Sequence, residues 1–389
     1  MIFPLQTRWT ALLLAATLGP LEPEVRADDR RPPAQPLTRR DRLYDVAFVG
    51  KQAWVVGFPG IIRHTRDGGA TWTSQQGGKK EALFAIHFAE AKRGWIVGRS
   101  GLVLATSNGG KRWMRQKTPT KQHLFAVHFL DGGQEGWAVG SFGVVLRTTD
   151  GGKRWTKVKV VLQQQEAAPG EKQRATGQQA EPQEDDFGEG AWGGDDDPYG
   201  VDGQDGDEPQ EGSAPDDGGP SFDRHLNGVW ALGPGRAIAA GESGKIIATT
   251  DGGASWQPRE SGVWAPLYRI LFVSPERGFI GGGVGTLLRT DDGGATWQRI
   301  ATGNQAHLFG LARLGDRLHA TGSRGTLLRQ RGDRFERVKL GIYGWLSALA
   351  FGRDGAGLLV GGQGRVLRTS DGGQSWRCEG AGCASDSAD

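Results

Sequence analysis

A short glycine phrase, Gly-x-x-Gly at the end of an apolar stretch, recurs seven times along this chain. Its copies begin at Gly57, Gly98, Gly140, Gly241, Gly282, Gly322 and Gly361, with steps of 41, 42, 101, 41, 40 and 39 residues. A period near 40 residues constrains the fold more than any other feature. A unit that short cannot bury its own apolar face and must stack on copies of itself. The one long step hides an insertion of about 60 residues within an otherwise regular array.

Each copy reads as four short strands. The first follows a Leu-aromatic-x-β-branched-x-Phe pattern, as in Leu83-Phe84-Ala85-Ile86-His87-Phe88 and Leu124-Phe125-Ala126-Val127-His128-Phe129. Such alternation suits a pleated ribbon covered on both faces. The second strand places Trp54, Trp95, Trp137, Ile238, Phe279, His319 and Leu358 at one equivalent position, all apolar but one. The Gly-x-x-Gly then closes a tight hairpin, where glycine supplies backbone angles that other residues resist.

Between the third and fourth strands lies Thr-x-Asp-x-Gly-x-x-Trp, at Thr65–Trp72, Thr148–Trp155, Thr249–Trp256, Thr290–Trp297 and Thr369–Trp376. The aspartates are Asp67, Asp150, Asp251, Asp292 and Asp371, and the second copy, closing on Trp113, carries Asn108 instead. A short carboxylate can accept N–H bonds within its own turn, and the glycines permit that turn. The indoles of Trp72, Trp113, Trp155, Trp256, Trp297 and Trp376 are expected to pack over it. Recurrence at matching offsets argues for a structural turn, since a catalytic pair need occur only once. The sixth copy has lost the segment, and Phe335 stands in for the indole.

Seven four-stranded units in a circle make an all-β, seven-bladed β-propeller. Blades one to three are expected over residues 43–160 and blades four to seven over 223–379, after a linker at 28–42 and before a tail at 380–389. The innermost column, Asp45, Ala85, Ala126, Gly228, Arg269, Gly310 and Ala348, is mostly small, with Asp45 and Arg269 the exceptions, left either to pair or to meet water. In a propeller the glycine tips and the linkers between blades share one face. That face offers Phe58, Arg99, Phe142, Arg259, Trp264, Arg324, Tyr343 and Trp345 as candidate partner-binding residues. Exposed aromatics among basic groups are the composition of a protein-binding surface.

Residues 161–222 break the pattern, with 17 Asp or Glu against Lys172 and Arg174. Their charge of −15 leaves the rest of the chain at +18 against a total of +3. A segment so poor in apolar residues is expected to be disordered. Entering between blades three and four, it would lie on the tip face, either as a solubilising loop or, on a sharper reading, folded over the basic face in competition with an acidic partner. No cofactor or metal is expected, because no ligand-rich loop of correct length completes the Asp202–Asp207 pattern. Residues 1–27 read as a secretory signal, with Arg8, an apolar run from Trp9 to Leu18, and a small-residue cleavage site at Val25-Arg26-Ala27. Export makes a disulfide between Cys378 and Cys383 the leading reading of the two cysteines. An exported location, periplasmic or lumenal, fits nucleic acid poorly as a partner, and a monomer is expected.

The Thr-x-Asp-Gly-Gly-x-x-Trp segment resembles the Asp-box, or BNR repeat, shared by sialidases and many unrelated propellers. The whole phrase, Leu-x-x-Val-x-Phe, Gly-Trp-x-Val-Gly-x-x-Gly and Leu-Arg-Thr-x-Asp-Gly-Gly-x-x-Trp, resembles the photosystem II stability/assembly factor family from Leu43 to about Glu379, except in the insertion and the sixth copy. That resemblance implies an exported, seven-bladed, non-enzymatic propeller that holds membrane-protein subunits during assembly through an arginine-rich surface. The alternative is a sialidase-like, carbohydrate-active or carbohydrate-binding propeller. It would need a tyrosine nucleophile from Tyr44, Tyr199, Tyr268 and Tyr343, and no carboxylate pair stands out on the tip face.

Overall fold

The computed structural model describes residues 36–77, 80–162 and 224–383, which fall in one compact unit, Pro33–Asp389. Blade 1 holds β1 (Arg42–Val49), β2 (Gln52–Phe58), β3 (Ile61–Thr65) and β4 (Thr73–Gln75). Blade 2 holds β5 (Leu83–Phe88), β6 (Gly94–Gly98), β7 (Val103–Thr106) and β8 (Met114–Gln116). Blade 3 holds β9 (Leu124–Phe129), β10 (Gly136–Gly140), β11 (Val145–Thr148) and β12 (Thr156–Val158). Blade 4 holds β13 (Leu226–Gly233), β14 (Arg236–Gly241), β15 (Ile246–Thr249) and β16 (Gln257–Arg259). Blade 5 holds β17 (Leu267–Phe272), β18 (Gly278–Gly282), β19 (Leu287–Thr290) and β20 (Gln298–Arg299). Blade 6 holds β21 (Leu308–Leu314), β22 (Arg317–Gly322), β23 (Thr326–Arg331) and β24 (Arg334–Arg337). Blade 7 holds β25 (Leu346–Phe351), β26 (Gly357–Gly361), β27 (Val366–Thr369) and β28 (Arg377–Glu379).

Every sheet is antiparallel and built from four consecutive strands, so the chain is a seven-bladed β-propeller. The acid-rich residues from 163 to 222 and the expected signal at 1–27 lie outside the described residues. The long sequence step falls between blades 3 and 4, as its spacing requires.

Apolar burial follows the repeat. One core cluster lies at each junction between neighbouring blades. Between blades 1 and 2, for example, Trp54, Val56 and Ile62 meet Leu83, Ile86, Ile96 and Trp113. The strand-two column is buried in all seven blades, His319 included. Ring closure uses the same contact as every other junction. Leu43, Val46 and Val55 of blade 1 pack on Ala348, Leu358 and Val360 of blade 7. The Ser347 hydroxyl donates to the Leu43 carbonyl at 2.7 Å, and the Gly364 amide to the Asp41 carbonyl at 2.6 Å. Among the described residues no strand is exchanged between the ends of the array.

Simple alternation does not describe the innermost strands. Their pairing shifts register beside the leading leucine in every blade, as between Leu43 and Asp45 and between Leu83 and Ala85. A bulge re-aims the extra side chain. The residues so displaced include Tyr44, Phe84, Phe125, Tyr268 and Phe309, which gather with Trp345 in a separate aromatic cluster.

The axis is polar at one point. Asp45 accepts from the Ile86 amide at 3.0 Å and from the Arg269 guanidinium of blade 5 at 3.3 and 3.4 Å. Farther along the same strands the His87 and His128 rings lie 4.4 Å apart, and His128 lies 3.9 Å from Trp230. Burial pushes the His87 imidazole down to about 4 and that of His128 well below its usual range, with Arg269 adding to both. His319 is likewise held down to about 4 by burial and by Arg329. The unfolded chain therefore takes up protons that the folded chain refuses as pH falls from 6.5 toward about 4. Stability should drop across that window. Urea unfolding at several pH values should show a shallower decline for a His87→Gln/His128→Gln variant; an equal slope would remove these groups as the cause.

Candidate functional site

The two glycines of each tip serve different physical needs. The first is extended and has no room for a side chain: a Cβ on Gly98 would lie 2.1 Å from the Ala82 carbonyl. The second sits in left-handed backbone, with Gly101 at φ 70°. The Leu102 amide bonds the Arg99 carbonyl at 3.1 Å, so Ser100 and Gly101 are the central pair of the turn. The apex is therefore one residue later than a turn centred on the two residues between the glycines.

That shift forces a non-glycine residue into φ > 0 at six tips: Ser100, Phe142, Ser243, Val284, Arg324 and Gln363. A β-branched residue such as Val284, at φ 49°, is strained there. Phe142 and Val284 nevertheless project into solvent, 60% and 44% exposed. The tips are anchored on both sides by linker carbonyls. In blade 6, Ser323 N bonds His307 O at 3.0 Å and Gly325 N bonds Gly344 O at 2.6 Å. A rigid platform thus carries the variable side chains.

The eight candidates divide on this platform. Trp264 and Tyr343 are 83% and 80% exposed on linkers, and Phe142 sits edge-on to His225 at 5.3 Å. Arg324 is exposed and Arg99 is half-buried. Arg259 is half-buried, bonded to the Pro258 carbonyl and to Gln257. One expectation needs correction. Trp345 is buried, 6% exposed, and stacks on Tyr44 at 6.1 Å. Phe58 is half-buried against the same aromatic cluster. Trp345 can tuck in because Gly362 leaves space: a Cβ there would lie 2.7 Å from the indole.

Arg324 opens onto a cavity of this face. A cleft of about 760 Å³ lies between blades 5 and 6, walled by residues 299–306 with Arg324, Thr326 and Arg337. Its lining holds three arginines, Arg299, Arg324 and Arg337, and no carboxylate. Arg337 also donates to the Arg324 carbonyl at 2.8 Å. Arg299 and Arg337 were missed in the sequence, although they end strand four much as Arg259 does in blade 4. Beside blade 3, burial followed by the Arg99 and His225 charges pulls the His123 imidazole below its usual range.

On the opposite face the Thr-x-Asp-Gly-Gly turns repeat one hydrogen-bond pattern. In blade 5 the Thr290 hydroxyl donates to Asp292 at 2.7 Å and receives the Gly294 amide at 2.9 Å. Asp292 also accepts the Thr296 amide at 2.9 Å and the Thr296 hydroxyl. Asn108 reproduces the pattern with Thr106 and the Arg112 amide. Hydrogen bonds from Ser255 and Thr249 hold the exposed Asp251 carboxyl down at about 2. The closing indoles differ in depth: Trp256 is fully buried, whereas Trp72 and Trp376 are half-buried. Each glycine pair rests on the blade before it, as Gly253 does on Trp137. The arginines ending strand three meet acids: Arg147 with Glu135, Arg289 with Asp291, Arg329 with Glu336 and Arg368 with Glu379.

Among the described residues no cluster of His, Cys, Asp and Glu could hold a metal ion, and no helix is long and apolar enough to cross a membrane. Cys378 and Cys383 are bonded, with Cα atoms 5.5 Å apart. Tyr44 and Tyr268 are buried, Tyr343 is exposed, and Tyr199 lies outside the described residues.

Fold and repeat together define a BNR-type β-propeller that resembles the photosystem II assembly factors. Residues 74–185 match the family described as photosynthesis system II assembly factor YCF48. The fold is similar to a solved structure described as YCF48 bound to D1 peptide, with TM-score 0.57 and 18% identity over 86% of this chain and 93% of that one. It is equally similar to YCF48 from Cyanidioschyzon merolae, with TM-score 0.57 and 18% identity over 86% of this chain and 97% of that one. A GH74 xyloglucanase from Xanthomonas campestris gives TM-score 0.60 at 14% identity, over 89% of this chain but 55% of the enzyme. No curated protein matches the sequence.

Proposed function

We propose that this protein is a non-enzymatic, exported scaffold whose tip face binds a protein partner, a membrane-protein subunit or complex, and aids its assembly or stability. The observation that carries this reading is the acid-free arginine cleft of the tip face. The strand-three arginines beside the Asp turns meet carboxylates, whereas Arg299, Arg324 and Arg337 share an open cleft whose lining offers none. Guanidinium forks match carboxylates, and uncompensated positive charge steers acidic partners. Phe142, Trp264 and Tyr343 add exposed aromatic area of the kind that anchors interfaces. The relative described with a bound D1 peptide supports a peptide-binding role.

A synthetic acidic peptide should bind at low salt and weaken as salt rises. An Arg299→Gln/Arg324→Gln/Arg337→Gln variant should bind it at least about tenfold more weakly, or ~1.4 kcal/mol. Unchanged affinity by calorimetry would sink the reading. A carbohydrate-binding propeller is the second reading, favoured by the likeness to the xyloglucanase and by the flat exposed faces of Trp264 and Tyr343. Binding or hydrolysis of a xyloglucan oligosaccharide would support it. The Asp turns are poor candidates for general acids, because hydrogen bonds keep Asp251 and Asp292 ionised down to about 2.

A further inference from the structure

Blade 6 alone joins its third and fourth strands by a short turn, with β23 ending at Arg331 and β24 starting at Arg334. Where other blades carry the Asp turn, a cleft of about 530 Å³ opens between blades 6 and 7, lined by Arg317, Arg329, Arg331, Gly332 and Gln374. Glu336 partly neutralises it, bonding the Arg329 Nε at 2.8 Å and the Arg331 Nε at 2.7 Å. The lining itself holds three guanidiniums and no carboxylate. Arg317 is exposed, as is Arg331, so their donors are accessible from solvent.

His319 lies one register pair inward, opposite Arg329, where three other blades carry tryptophan. It is 0% exposed, and neither ring nitrogen has a hydrogen-bond partner of normal geometry. Its Nε2 lies beside Gly373, the residue preceding Gln374 of the cleft wall.

We propose that this cleft binds a tetrahedral oxyanion, a phosphate or sulfate group, clamped by Arg317 and Arg331 over the platform that Arg329 and Glu336 hold in place. Arginine forks match such oxygens in pairs, and Arg329 is already fixed by Glu336 and by the Gly373 carbonyl at 3.3 Å. The site lies on the face opposite the tips, so it stands independently of the proposed partner surface.

The test uses the full chain with inorganic phosphate, and with a phosphoserine peptide, against sodium chloride at equal ionic strength. Phosphate should give a saturable rise in Tm, as any ligand of the folded state must. An Arg317→Gln/Arg331→Gln variant should bind at least about tenfold more weakly. Both chains carry Arg299→Gln, Arg324→Gln and Arg337→Gln as well, so that the tip-face arginines contribute nothing to the response. Tighter binding of the peptide would assign the group to a partner, and equal or weaker binding to a free anion. The proposal is overturned if neither probe gives a saturable response, or if the response survives in the Arg317→Gln/Arg331→Gln variant.

Discussion

Replacing Trp256 with alanine is expected to destabilise the protein by about 4 kcal/mol. The indole is fully buried in the core between blades 3 and 4 and stands edge-on to Trp137 at 5.8 Å. Its surroundings have little freedom to collapse into the space left behind. The Trp256 amide is held by the Val161 carbonyl at 3.0 Å, and Gly253 of the same turn rests on Trp137. Among the described residues the indole N–H has no partner, unlike that of Trp113, which donates to Gln75 at 2.9 Å. Trp256→Phe keeps most of the ring and discards the unpaired donor, so its cost should be only about 1 kcal/mol. Trp376→Ala, at a half-buried indole, should fall between them at about 2 kcal/mol. Denaturant midpoints at constant m report the series. Equal costs for Trp256→Ala and Trp376→Ala would mean that the turn beneath the ring, and not its burial, sets the contribution.

The blades could be read from the chain because each carries its own local signal: a period near 40, an apolar strand-two column and a glycine at each tight approach. The bulge at Tyr44, Phe84 and their equivalents could not be read, because Leu-aromatic-x looks the same whether or not one residue is extra. Trp345 looked like a surface residue because it lies in a linker. Its burial depends on the missing side chain of Gly362, a neighbour across the tip. Arg299 and Arg337 carried a signal, their place at the end of strand four. Their meeting with Arg324 depends on the spacing of two adjacent blades, which a one-dimensional pattern does not contain. Local chemistry was legible, and convergence between units was not.

Replacing Asp45 with alanine should cost about 3 kcal/mol, the lower end for breaking a buried ion pair, because a third of Arg269 is exposed. Asp45 is 1% exposed and serves three partners at once: its own Val46 amide, the Ile86 amide of blade 2 and the Arg269 guanidinium of blade 5. The apolar junctions join neighbours only, whereas this carboxylate links blades that do not touch through their cores. Asp45→Ala removes the acceptor of the Val46 and Ile86 amides and the carboxylate that faces the Arg269 guanidinium. Asp45→Asn retains an acceptor for the amides and should cost less than half as much. Arg269→Ala leaves Asp45 bonded to two amides, so the Asp45→Ala/Arg269→Ala pair should cost less than the sum of the single changes, with a coupling of about 1 kcal/mol or more. Additive costs would show that water along the axis serves both groups as well as they serve each other. Coupling would make the pair a brace across the ring, built from the two residues that break the small-residue column.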